Sequence, residues 1–154
     1  MSAAAARDHY LVLNGPNLNL LGEREPGVYG TGTLADLEAL VRARARELGV
    51  EVSFAQSNHE GVLIDLIHEA RLACAGIILN AGAYTHYSYA LRDAIAAVRI
   101  PVAEVHITDI YQRDEFRHVS VIEPVCAVQI VGEGLPGYAH ALEWLVSQKG
   151  SERA

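Results

Sequence analysis

Short apolar runs rich in β-branched residues alternate along this chain with longer segments whose apolar residues recur every three or four positions. That alternation is the strongest constraint on the fold, because a strand, a covering helix and a returning strand build a parallel sheet with helices on both faces. The strand candidates are YLVL (Tyr10 to Leu13), VEVSFAQ, GIILN, IPVAEVH and CAVQIVG, which makes five. Between the first two, Thr33 caps a helix with the stripe Leu34, Leu37, Leu40, Val41, Ala45 and Leu48, and Gly49 suits its stop. SNHEG supplies a cap and early negative charge for a helix through Leu63, Leu66, Ile67 and Ala70. Ser88 or a near neighbour starts another through Ala90, Leu91, Ala94, Ile95 and Val98, and a last helix carries Tyr138, Ala141, Leu142, Leu145 and Val146 on one face. No repeat or linker divides the 154 residues, so 1–154 reads as a single domain with frayed ends at about 1–8 and 148–154.

Charge narrows the function classes. With 19 acidic against 12 basic residues and a formal net charge of −7, the chain lacks the broad positive field that nucleic acid or an anionic membrane requires. Cys74 and Cys126 lie far apart in apolar contexts without metal-ligand spacing, and read as small buried hydrophobes in a reducing compartment. The start, MSAAAARDHYLVL, has no basic region before a long apolar one, and no run approaches the roughly 20 apolar residues that span a bilayer. A cytoplasmic protein is expected.

In an open parallel sheet, ligands bind beyond the carboxyl ends of the strands, where loops converge and helix N-termini point inward. Those ends carry Asn14 and Asn17 after the first strand, Asn80 after the third, and Glu104 and His106 at the end of the fourth. A single asparagine there can simply cap a helix; several together point to a site. His106 shares a strand side with Glu104, so the pair can act as an oriented acid or as a hydrogen-bonded structural unit. The N–H groups of Ile107 and Thr108 follow and can hold a carboxylate, with Arg113 and Arg117 in sequence reach.

The segment LNGPNLNLLGEREPGVYG, Leu13 to Gly30, resists forming a helix or a strand, and loops of such length in compact domains are often lids. It carries Arg24 and Tyr29. A phenol titrates at about 10 in water, but an adjacent guanidinium favours the phenolate and makes it a usable base. Alternatively Tyr29 packs on the domain and Arg24 is solvated. GTGTLA matches a dinucleotide fingerprint but is separated from its strand by the whole loop, and the histidines of HEGVLIDLIHEA are nine positions apart, off the spacing of a helical zinc site. They read as cap and surface residues, and no metal is implied. AYTHYSY either caps a helix or binds an anion or polyol.

Six segments, LNGPNLNLLGEREPGVYG, QSNHEG, NAGAYTH, ALRDAI, PVAEVHI and EFRHVS, resemble the type II 3-dehydroquinate dehydratases in order and spacing from about Leu11 to about Leu145. The resemblance implies a flavodoxin-like five-stranded α/β fold and a cofactor-free trans elimination of water from 3-dehydroquinate. It further implies Tyr29 as base supported by Arg24, His106 as acid oriented by Glu104, and Asn17 as holder of the water that stabilises the enolate. Asn80, His86, Asp93, Ile107, Thr108 and Arg117 match substrate-binding positions, and Arg113 a supporting one. A homododecamer of four trimers, with Asp93 reaching a neighbour's site, is also implied.

The chemistry agrees with the residues, since expelling a β-hydroxyl from a ketone needs a base, an acid and an enolate stabiliser. The only lysine, Lys149, lies near the end of the chain, which argues against an imine route. Ala81, Thr108, Asp109, Tyr111, Tyr87, Tyr89, Glu123 and Val128 depart from the family pattern, and Asp109 is expected to place a negative charge near the carboxylate site. The rival classes are a flavodoxin-like binding or signalling module, whose phosphate loop or phosphoacceptor pattern the chain lacks, and a paralogue that binds substrate without turning it over.

Overall fold

The computed structural model describes residues 8–153, with side chains through residue 150. The expected fray at the amino end therefore lies almost wholly outside the described residues. Five strands, β1 (His9–Asn14), β2 (Glu51–Gln56), β3 (Gly76–Asn80), β4 (Val102–His106) and β5 (Val128–Val131), pair in the order β2-β1-β3-β4-β5, every pair parallel. This is the flavodoxin-like arrangement. Its connections reverse direction between β1 and β3, which opens a crevice at their carboxyl ends.

Side-chain alternation sorts the strands onto two cores. Tyr10 and Val12 of β1, Ile78 of β3, and Ala103 and Val105 of β4 face helices α2 (Leu34–Leu48) and α5 (Pro136–Arg153), meeting Leu37, Val41, Tyr138 and Leu142. Leu11, Leu13, Ile77, Leu79 and Val102 face the other way, onto α3 (Glu60–Ala73) and α4 (Tyr89–Ala97), against Leu63, Ile67, Leu91 and Ile95. The same alternation sends Asn14 and Asn80 to the first face and Glu104 and His106 to the second.

Helix ends follow the local sequence. Thr33 and Asp36 form a reciprocal capping box on α2, and Gly49 closes that helix at φ 72°. Ser88 caps α4 by accepting from Leu91 N–H at 3.0 Å. SNHEG differs from expectation: His59 stands at the N-cap of α3 without a side-chain bond. Ser57 instead accepts from His59 N–H at 3.0 Å, and Asn58 Oδ1 is taken by Asn17 N–H and by Gln56 Nε2. Cys74 and Cys126 are only partly buried, and burial raises the pKa of both thiols.

Two more expectations are revised. The segment from Leu13 to Gly30 contains a 3₁₀ turn, Leu18–Leu20, and a single α turn, α1 (Pro26–Tyr29), because Leu18 and Leu21 anchor it in the core and Pro26 occupies a first-turn position. At the other end, α5 stays helical through Arg153, and Lys149 Nζ donates to Asp8 Oδ1 at 2.6 Å. Among the described residues no helix is long and apolar enough to cross a membrane.

Candidate active site

The crevice at the carboxyl ends of β1, β3 and β4 is a pocket bordered by Asn17, Arg24, Tyr29, Asn80, His86, His106, Ile107, Thr108, Arg113 and Arg117, with Pro16, Leu18, Gly82, Ala83 and Ile110 filling the gaps. Three arginines border it and no acidic residue does, so within a chain of net charge −7 this pocket is a local cationic well. Arg117 also has a buried Nε with no partner among the described residues.

Tyr29 ends α1 between two residues of left-handed backbone, Glu25 at φ 33° and Gly30 at φ 80°. Its hydroxyl oxygen accepts from Arg24 Nη2 at 2.9 Å and from Arg113 Nη1 at 2.8 Å. Both guanidinium groups also lie on the ring, 4.0 and 5.1 Å from its centroid. An oxygen that receives two cationic donors is set up to carry negative charge. Arg113 thus touches the phenol directly, a closer role than its supporting position implies.

His106, at the end of β4, is 5% exposed and Glu104 fully buried. His106 Nε2 lies 2.6 Å from Glu104 Oε2. With the carboxylate ionised, Nε2 carries the proton and Nδ1 is the nitrogen left to work on a ligand. Ser120 Oγ donates to the same Oε2 at 2.7 Å and Gln129 Nε2 at 3.2 Å, while the buried Oε1 has no partner.

Asn80 accepts from Gly82 N–H at 3.1 Å and donates through Nδ2 to Tyr138 Oη at 2.9 Å; Tyr138 in turn donates to Asn14 Oδ1 at 2.7 Å. Burial holds the Tyr138 phenol well above its ordinary range, so it stays protonated. These bonds fix the Asn80 amide with one N–H left for the pocket. His86 donates from Nδ1 to Val119 O at 2.7 Å and packs edge-on against Phe116. Burial lowers its pKa, the Val119 bond opposes that, and the nearby His106 and Arg117 charges add to the lowering.

Asn17 borders the pocket in a left-handed conformation at φ 69°, held by its N–H to Asn58. Ile107 and Thr108 border it just beyond β4. Asp93 does not: it is exposed on α4, outside the lining of this chain's own pocket. Asp109 is also turned away, because its carboxylate accepts from Tyr111 N–H at 3.0 Å and caps the turn Ile110–Gln112. Asp109 is absent from the residues that border the pocket. Among the described residues no group of three or more His, Cys, Asp or Glu is placed to hold a metal ion.

Sequence reading missed Ser120, Gln129 and Tyr138. Period two was a usable signal for Gln129, since a polar side chain inside β5 falls on the same face as its register partner Glu104. Tyr138 read only as one more residue of an apolar stripe.

Fold and pocket together make a candidate enzyme site: a phenol backed by two cations and an imidazole held by a buried carboxylate share one crevice of a flavodoxin-like sheet. The chain belongs to the class II dehydroquinase family, whose sequence model, Dehydroquinase class II, matches residues 8–146. It is by family a hydro-lyase. The chain is 57% identical to the 3-dehydroquinate dehydratase of Bacillus pumilus over 143 residues, 93% of this chain and 97% of that protein. It is 62% identical to that of Bacillus cereus over 132 residues, 86% and 90% of the two chains. Crystal structures of type II dehydroquinases superpose on it with a TM-score of 0.88 for Butyrivibrio crossotus, at 50% identity over 91% of this chain and 98% of that one. The enzyme from Propionibacterium acnes gives the same TM-score at 43% identity, over 91% and 97%.

Proposed function

We propose that this chain, a single catalytic domain over residues 1–154, is a 3-dehydroquinate dehydratase that reversibly eliminates water in the trans sense to give 3-dehydroshikimate. The observation that carries the reading is the pair of guanidinium donors on Tyr29 Oη in a pocket shared with the His106–Glu104 pair. Tyr29, as phenolate, removes a proton from C2 of the substrate, and the electron pair moves into an enolate on the C3 oxygen. His106, as the imidazolium whose Nε2–H is held by Glu104, then gives its Nδ1 proton to the C1 hydroxyl, the C1–O bond breaks, and water leaves as the C1–C2 double bond forms. Acid and base catalysis are each worth roughly 10²- to 10⁴-fold.

Around that step, Arg24 and Arg113 stabilise the phenolate, and Glu104 keeps the His106 ring turned so that Nδ1 meets the leaving hydroxyl. Asn17 holds the water that stabilises the enolate oxygen. The backbone N–H groups of Ile107 and Thr108 bind the substrate carboxylate, Arg117 adds positive charge, and Asn80 and His86 bind hydroxyls. Asp93, on an exposed helix face, serves a neighbouring subunit's site in a trimer, four of which form a cytoplasmic dodecamer. No cofactor takes part, and the only lysine is engaged with Asp8. The test is an ultraviolet assay for the conjugated enone when the protein meets 3-dehydroquinate, with chelator present, no cofactor added, and after borohydride treatment. Rising absorbance unaffected by either reagent supports the reading; none from a folded protein removes it.

A further inference from the structure

Glu104 is fully buried, yet its two oxygens are used unequally: His106 Nε2, Ser120 Oγ and Gln129 Nε2 converge on Oε2 at 2.6, 2.7 and 3.2 Å, while Oε1 has no partner. A carboxylate can only accept, so the amide atom of Gln129 that faces it must be the NH₂. That leaves Oε1 facing Tyr111, whose hydroxyl donates to it at 2.9 Å and holds the amide in place. Tyr111 is itself held by the Asp109 cap on its N–H. The chain of contacts runs from a partly exposed tyrosine, through an amide that can point only one way, to the carboxylate behind the acid.

We propose that Gln129, held by Tyr111, is a positioning residue that sets the rotation of Glu104 and through it the orientation of the His106 ring, so that Nδ1 is the nitrogen presented to substrate. This rests on the dehydratase reading for its kinetic consequence but not for its geometric one. Ser120 alone leaves the carboxylate a single fixed neighbour besides the imidazole it must orient; Gln129 supplies the second, from another strand. Because Tyr111 meets Gln129 at Oε1 and touches no pocket residue through that bond, its effect on turnover passes through the amide. The charged and titratable groups around the pair are His86 and Arg117 from the turns beyond β3 and β4, and Cys126 and Glu123 before β5.

The experiment compares wild type with Gln129→Leu, Gln129→Glu and Tyr111→Phe by steady-state kinetics and by ¹⁵N NMR of the His106 ring. Gln129→Leu is expected to lower kcat about 10-fold with KM within about two-fold, and Tyr111→Phe to do the same more weakly. Gln129→Glu keeps the shape but can donate to Glu104 only when protonated, so its kcat should recover towards wild type as pH falls. The His106 ¹⁵N shifts of Gln129→Leu should move away from the wild-type values. Unchanged kcat and unchanged ring shifts in a folded Gln129→Leu overturn the inference; if that variant does not fold, an unchanged pH profile in Gln129→Glu does so instead. Should wild type itself not turn over 3-dehydroquinate, the ring shifts still decide the positioning role, so the two failures are separable.

Discussion

Arg113 Nη1 lies 2.8 Å from the phenol oxygen of Tyr29, joining the segment after β4 to the one after β1 across 84 positions of sequence. Arg24 approaches the same oxygen from within its own segment, five positions away. The two cations are not equivalent in origin: one lies just before the α1 turn and the other on the segment that follows His106. Replacing Arg113 with Met is expected to lower kcat about 100-fold, the usual cost of removing one donor from a developing charge, with a smaller change in KM. Steady-state kinetics checks this, and a KM effect alone would assign Arg113 to binding.

Tyr29→Phe and His106→Ala should each lower kcat by at least about 100-fold while leaving the far-ultraviolet circular dichroism unchanged, because phenylalanine keeps the Tyr29 ring that packs against one core and His106 ends its strand outside both. Wild-type-like turnover in either variant would remove that residue from the mechanism.

Gly15 is a packing prediction. Its N–H donates to Asn80 O at 2.7 Å, and a Cβ at this position would sit 2.6 Å from the Ala81 carbonyl oxygen. The clash is with backbone, so the loops after β1 and β3 must part to relieve it. Gly15→Ala is expected to cost roughly 1–3 kcal/mol of stability and to lower activity with it, read from urea unfolding midpoints. An unchanged midpoint would mean that the two loops yield freely.

His86 gives a pH dependence. Its folded pKa lies below the ordinary histidine value of about 6.5, with burial as the first cause. As pH falls below about 6.5 the unfolded chain takes up this proton first, so the folded state loses stability between there and the lower folded pKa; above that window the group contributes nothing. NMR titration should find the ring more than half neutral at pH 6.5, and His86→Asn should lose less stability than wild type in mild acid. A ring that titrates at or above 6.5 would contradict the burial argument.

The sheet and its helices were legible because the relevant physics is local. Alternating β-branched runs, the Thr33 and Ser88 caps and the Gly49 stop each act within a few residues, and each appears where the sequence puts it. The strand-end groups were legible for the same reason: period two places His106 and Glu104 together. What escaped is contact between segments far apart in the chain. Nothing near Tyr138 marks its hydroxyl as the partner of two asparagines on the strands, and nothing near Asp109 shows that its side chain caps the turn after β4 and stays out of the pocket lining. The quoted SNHEG stretch shows the converse, since its asparagine is diverted from capping by the loop after β1, a competitor the local sequence does not contain.

The Tyr138 bridge also bears on synthesis. Chains emerge from the ribosome amino end first, and the strands that bear Asn14 and Asn80 are made long before the helix that bears Tyr138, 124 positions after Asn14. Until that helix docks, the two asparagines have no shared partner and the Asn80 amide that borders the pocket is not held. A nascent chain can thus complete most of its sheet and still lack a fixed Asn80 amide, so that binding competence reports the docking of that helix and not merely the onset of folding.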